Sequence, residues 1–348
     1  MKNFLVFLIF LSNFAFCIER ENSFSLGIEY NSLLYEFEEK GEHSFYYNFE
    51  FKGSFSKKKT FLFYNFSLLY PFSYSEIERK PLKIGTGNIN LNNYFHLFGK
   101  SFYEFSIFYN FKKAEDAPER VPVEEETYNF YGIDNSMDLF SDFKLKFGLN
   151  FLKPENYEIF KNKKYYSGFK YSKNIKESLK IFSDLNFSKY YFDKKILTIP
   201  EEPGEIPIPE LKEHRENLYS IDLGFEYFSN YILNIMVFFQ KKDATVEDFS
   251  NKSFGMEGLF SMDLKAGLNM SLAFRYEKRY LKKKFLFFEP NILTGIGTSY
   301  IYLNFKKKLK EKNEISLKIG RFVHDAREDF FQTPSARYKA SISFSHLF

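Results

Sequence analysis

Catalysis needs a nucleophile, a base or a bound metal, so the histidines, the cysteine and the glycine-rich runs of this 348-residue chain are weighed first. The five histidines are His43, His96, His214, His324 and His346. Only His324 has a carboxylate beside it, Asp325, that could orient an imidazole for proton transfer. Neighbours in sequence point to opposite faces of a strand, and no Ser or Asp nucleophile pattern accompanies the pair, so it reads as incidental. The run Gly85, Thr86, Gly87 lacks the Lys-Ser/Thr ending of a phosphate loop, and small residues within a strand more often mark a bend. Cys17 is the single cysteine, and no cluster has zinc-ligand or calcium-loop spacing. The expectation is a protein that is not an enzyme and uses no metal and no cofactor.

Charge narrows the partners. With 49 basic and 45 acidic residues the formal net charge is +4, too balanced for a nucleic-acid binder. The lysine-rich turns at Lys57, Lys58, Lys59 and at Lys306, Lys307, Lys308 read as solvated rims that meet lipid headgroups. What remains is a set of charged residues that alternate with apolar ones: Glu29, Glu50, Lys52, Glu104, Lys144, Lys146, Lys170, Lys180, Asp184, Asp222, Glu226, Glu257, Lys265, Arg275, Lys318 and Lys339. Their chemistry is that of solvated charge of both signs, the lining expected of an aqueous channel.

The elements that position them are strands. Aromatics make up 21% of the chain, with 48 Phe, 26 Tyr and no Trp, a composition that favours strands. The mean hydropathy of -0.37 argues against a helical membrane protein but not against a barrel, whose strands alternate polar and apolar residues. Segments of about nine to eleven residues with period two, enough for a tilted strand to cross hydrocarbon, recur along the whole chain. The clearest place Phe45, Tyr47, Phe49 and Phe51 on one face, then Leu62, Tyr64, Phe66 and Leu68, and later Leu233, Ile235, Val237 and Phe239. Weaker candidates at 23–31, 84–93, 126–133, 164–172 and 252–260 complete sixteen strands; fourteen or eighteen are also compatible. Every second connection is short, as at 56–58, 134–138, 228–230 and 261–263. The others are mostly longer, up to 192–216. That alternation is expected of an all-β, antiparallel up-and-down transmembrane barrel. Parity switches after Tyr30 to Leu33 and Tyr35, which predicts a bulge or a strand that curls away from the membrane.

Both ends agree with export. Residues 1–17 have a charged start at Lys2, an apolar run from Phe4 to Leu11 and Ala15 near a cleavage point after Ala15 or Cys17: a secretory signal peptide, leaving 18–348 as the barrel. No later stretch reaches the length of a transmembrane helix. At the other end Tyr338, Ala340, Ile342, Phe344, His346 and Phe348 alternate with Lys339, Ser341, Ser343, Ser345 and Leu347. This strand resembles the C-terminal signature of bacterial outer-membrane β-barrel proteins, departing from it at His346, where an aromatic is usual. The resemblance implies a porin-like barrel in the outer membrane of a Gram-negative cell, with both termini periplasmic. It also implies an assembly signal at Phe344 and Phe348 read by the barrel-assembly machinery, and outer-membrane lipid as a partner.

The function expected is a porin-like channel for passive diffusion of small hydrophilic solutes; the alternative is a non-conducting structural or surface-interaction barrel. A homo-oligomer is compatible with either. The proline-rich, acidic stretch 192–216 is expected to project outward as the longest outer loop; the alternative is that it folds into the pore as a constriction.

Overall fold

The computed structural model describes residues 19–35, 42–74, 83–97, 101–115, 127–155, 160–198, 210–246, 249–281, 295–310, 312–325 and 335–347. They form sixteen strands: β1 (Glu19–Tyr35), β2 (Glu42–Lys57), β3 (Thr60–Tyr74), β4 (Lys83–Leu97), β5 (Ser101–Glu115), β6 (Tyr128–Phe140), β7 (Phe143–Pro154), β8 (Asn162–Lys176), β9 (Leu179–Thr198), β10 (Glu210–Phe228), β11 (Tyr231–Ala244), β12 (Asn251–Leu264), β13 (Leu268–Leu281), β14 (Gly295–Lys310), β15 (Asn313–Asp325) and β16 (Ser335–Leu347). Each pairs antiparallel with its sequence neighbours, and β1 pairs with β16, so the sheet closes into a barrel with no open edge.

Alternation sorts the side chains, because residues opposite one another in register share a face. At the closure Leu26 lies opposite Phe344, and Ile28 opposite Ile342, which in turn lies opposite Leu317. The same apolar face continues around the wall through Phe51 and Phe66, Leu91 and Ile107, Leu185 and Ile221, and Leu272 and Leu303. It is the outer face: Ile342 remains 54% exposed, whereas alternates on the other face are covered by the curvature, Ser188 at 5%. An exposed apolar belt needs hydrocarbon around it, and a closed backbone ladder is the condition for residing there. Phe147, Phe187, Leu223, Val237 and Leu272 fall on this outer face, and Lys146, Asn186, Asp222 and Asn269 on the inner one.

Several expectations need correction. Strands run 12 to 20 residues, longer than the nine to eleven that hydrocarbon requires. The backbone ladder continues beyond the apolar belt, where outward positions become polar: after Ile221 and Tyr219 on β10 come Asn217 and Arg215. A pattern of apolar alternation cannot register such an extension. For the same reason the stretch 192–216 is largely strand, β9 reaching Thr198 and β10 starting at Glu210; residues 199–209 lie outside the described set. The expected turn at 134–138 belongs to β6, and the chain reverses at Ser141 and Asp142 instead. Lys306, Lys307 and Lys308 are likewise within β14. The parity switch in β1 produces no bulge: its register with β2 and β16 runs unbroken through Leu33. Short turns do occur at Lys58–Lys59 (left-handed at Lys58, φ 56°), 177–178, 229–230 and 265–267. The signal segment 1–17, the expected turn at 98–100 and Phe348 lie outside the described residues.

Candidate functional site

The inner face of the barrel carries most of the chain's polar chemistry, and it divides into regions of different character. Each strand from β7 to β13 carries at least one charged residue at an inward position. Lys146 on β7 bonds Asp184 on β9, reaching past the intervening β8. Lys180 meets Glu226 at 3.0 Å, with Asn234 donating to the same carboxylate at 3.5 Å. Lys144 faces Asp138 at 3.6 Å, and Lys170 stands over the Phe182 ring at 5.7 Å. Asp222 is opposite Asp184 in register. Further round, Arg275 binds Glu257 at 3.0 Å and Glu277 at 3.3 Å, and Arg279 adds a second bond to Glu277 at 3.2 Å. The Arg275 guanidinium also lies 4.5 Å above the buried Phe238 ring, a cation–π contact. Phe238 in turn lies so close over Gly255 that no Cβ fits there.

On β3 to β5 the inward positions are mostly neutral. Ser67 bonds Thr86 at 2.6 Å, Asn88 donates to Asn110, and the Ser106 hydroxyl donates to Asn90 at 2.7 Å or Asn92 at 2.6 Å. Below them, next to the Lys58–Lys59 turn, four rings form a row: Phe61 stacks on Phe63 at 6.4 Å and meets Tyr94 edge-on at 5.3 Å, and Tyr94 stacks on Phe102 at 5.2 Å. Charge also enters this wall: Glu104 lies opposite Tyr94 in register and accepts from Ser136 at 3.2 Å, Lys112 lies opposite Thr86, and on neighbouring β2 Lys52 and Glu50 lie 3.6 Å apart with Asn65 donating to Glu50 at 3.0 Å. A cavity of about 550 Å³ lies where this neutral wall meets the charged one, with Asn90, Asn92, Glu104 and Ser106 on one side and Lys144, Lys146, Lys170 and Lys180 on the other.

The closure strands form a third region, rich in small hydroxyls. Ser25 bonds Ser345 and Ser316 bonds Ser343, each at 2.7 Å. Lys339 reaches Glu29 at 3.6 Å and Lys318 sits 4.7 Å over the Tyr302 ring. The structure thus places fifteen of the sixteen expected charged residues at inward positions of the wall. Lys265 is the exception: it lies in the turn Lys265–Gly267 after β12, exposed at the rim, because β12 ends one residue earlier. Phe344 is on the outer face opposite Leu26 and Ile315.

Sequence reasoning missed one feature. His214, expected in an outer loop, is an inward residue of β10 and only 2% exposed. β9 carries three residues, 192–194, opposite this one, which breaks the register between Glu213 and Arg215. His214 fills the gap, between the rings of Phe192 at 4.3 Å and Phe249 at 4.7 Å, and its Nε2 is 3.0 Å from Glu216. Lys242 bonds the same carboxylate at 3.0 Å. The described ends of the β11–β12 connection, 245–246 and 249–250, close over the histidine: the Thr245 hydroxyl donates to the Glu213 carbonyl at 2.7 Å, the Thr245 amide donates to the Arg215 carbonyl at 2.9 Å, and Val246 and Ser250 are buried. This clasp lies beyond the apolar belt, flanked outward by Arg215, Asn217 and Asp243. Burial works against the charge on Glu216, but the hydrogen bond from His214 and the Lys242 ammonium outweigh it and hold the carboxyl below the usual carboxylate range. No local pattern in the sequence signals this, since the misregister arises between strands.

Of the other histidines, His96 packs its edge on Phe102 at 5.6 Å and His346 pairs with Asn313 at 2.8 Å. Among the described residues no group of three or more His, Cys, Asp or Glu could hold a metal.

The geometry is that of a closed, sixteen-strand antiparallel β-barrel, and solved structures share it. OccAB3 of Acinetobacter baumannii superposes with a TM-score of 0.52 at 11% identity, over 95% of this chain and 100% of that one. OpdQ of Pseudomonas aeruginosa gives 0.52 at 9% identity over 95% and 99%. The outer membrane protein OprD of Pseudomonas aeruginosa gives 0.50 at 10% identity over 94% of each. At these identities the likeness is one of fold. No family model matches the sequence, and no curated protein matches it.

Proposed function

We propose that this chain is an outer-membrane channel through which small hydrophilic solutes pass by passive diffusion, with no cofactor and no chemical step. The observation that carries the proposal is the sorting of the wall: the outer face is apolar, and the inner face bears ionised groups of both signs, amides and hydroxyls. A closed strand barrel of this size encloses a bore, and charges facing water inside it are solvated at little cost. In this reading the fifteen inward charged residues line the path. Residues 1–17 direct export, the barrel-assembly machinery reads Phe344 and Phe348, outer-membrane lipid covers the belt, and both termini are periplasmic. Subunits assemble as homo-oligomers or act singly.

The test is ion current across a planar bilayer. Refolded protein should produce stepwise conductance with modest ion selectivity, since inner charges of the two signs nearly balance. Pure, folded protein that gives no steps defeats the channel. The second reading, a structural or surface-binding barrel, then takes its place; the mutual pairing of Lys146 with Asp184 and of Lys180 with Glu226 favours it, because paired charges also serve to brace a wall.

A further inference from the structure

The neutral wall is built from the two kinds of group that recognise sugars. A pyranose ring presents a face of C–H groups and an equator of hydroxyls. Aromatic rings lie flat against the former, and amides, which offer both a donor and an acceptor, bond the latter. Phe63, Phe61, Tyr94 and Phe102 run as a continuous row across three adjacent strands, β3, β4 and β5. Phe63 is 42% exposed although it faces inward, so its ring is presented to the bore and not packed away. Asn88 and Asn90 stand next along the same wall, Asn88 exposed and Asn90 half-buried, and both line concavities. Phe61, Tyr94 and Phe102 are half-buried against one another, so the row ends at Phe63 on an open apolar surface.

We propose that the inner wall of β3 to β5 is a binding track for neutral, hydroxyl-rich solutes, that is, short oligosaccharides. The rings of Phe63, Phe61 and Tyr94 slide against the sugar faces while Asn88 and Asn90 exchange hydrogen bonds with the hydroxyls. The proposal rests on the channel reading for its purpose, though not for its detection.

Because the chain has no tryptophan, a single one placed in the row reports on the track alone. Phe63→Trp keeps an aromatic ring at the exposed end, and Phe102→Trp does so at the other end should the first variant fold poorly. Full-length refolded protein is titrated with maltotriose and, separately, with succinate. Maltotriose should change the tryptophan emission saturably and succinate should not. Adding Phe61→Ala and Tyr94→Ala should weaken the apparent maltotriose affinity about tenfold, and adding Asn90→Ala about fivefold. Lys241→Gln, outward on β11 opposite Tyr219, should leave it unchanged. In bilayers the same sugar should interrupt the ion current of the unmodified protein. Emission that responds in protein carrying no current keeps the track and removes the channel. Current that flows while maltotriose alters neither it nor the emission of either reporter keeps the channel and overturns the track. Equal or stronger response to succinate, or a maltotriose response indifferent to loss of Phe61 and Tyr94, also overturns it.

Discussion

The charged wall of β7 to β13 and the neutral wall of β3 to β5 are made by the same backbone, with the same alternation and the same curvature, yet they satisfy their polar groups differently. On the charged wall the partners are other side chains of opposite sign, often on a strand once removed, as Lys146 and Asp184 are. On the neutral wall the partners are short and local: Ser106 serves Asn90 and Asn92, and Ser67 serves Thr86. A barrel frame therefore constrains which face a residue occupies and leaves its chemistry free. One wall carries charges of both signs, with at least one charge on every strand, while the other carries few among its amides, hydroxyls and rings.

The comparison presupposes that both walls face inward, and the largest effect should come from violating that. Leu272→Arg puts a charge in the lipid-facing belt and should cost about 2–4 kcal/mol of folding free energy, whereas Asn269→Arg, inward on the same strand, should cost little. Denaturant titration in lipid vesicles measures both, and equal costs would break the inside–outside assignment.

Next in size is the contrast between the walls themselves. Arg275→Ala strips two carboxylates and the Phe238 ring of a shared partner and should destabilise by about 1–3 kcal/mol, less than for a fully buried pair because water reaches the site. Asn90→Ala removes one hydrogen bond to Ser106 and should cost about 0.5–1.5 kcal/mol. A neutral wall as sensitive as the charged one would mean that it, too, is a bracing network.

Function sharpens the comparison further. Replacing Lys144, Lys146 and Lys180 together with Gln removes positive field beside the cavity and leaves Asp138, Asp184 and Glu226 in place, so the reversal potential under a salt gradient should move toward cation preference. Three amide-to-alanine changes on the neutral wall should not move it.

The smallest effect concerns the clasp at His214. The Glu216 carboxyl titrates lower in the folded protein than in an unfolded chain, so its contribution is complete above the ordinary carboxylate range and is lost as pH falls through the lower folded value. Amide signals of Thr245 and Arg215 should therefore change on acidification within that window. In Glu216→Gln they should be insensitive to it; an unchanged acid response in that variant would assign the transition elsewhere.

Much of this architecture is legible in the chain itself. Period-two alternation identifies sixteen strands and assigns each residue a face, because a side chain on a pleated strand has only two directions to point. Thus Leu272 and Asn269 are separable by parity alone, as are Phe187 and Asn186. The amide and aromatic residues of the neutral wall are equally visible. As a sequence they read as a weak strand, 84–93, since three asparagines dilute the apolar signal while leaving the ladder intact.

Which inward residues meet is settled only when the barrel closes. Lys146 pairs with Asp184 across an intervening strand, Arg275 bridges Glu257 and Glu277, and four rings from three strands align into one row. These outcomes depend on the stagger of each strand against the next, a quantity set by closure of the whole sheet and carried by no local pattern. His214 is the clearest instance, for its burial follows from extra residues on the facing strand, and Lys265 is the converse, a lysine of inward parity that the end of β12 leaves at the rim. Facing is a property of each residue's own strand; meeting belongs to the closed barrel.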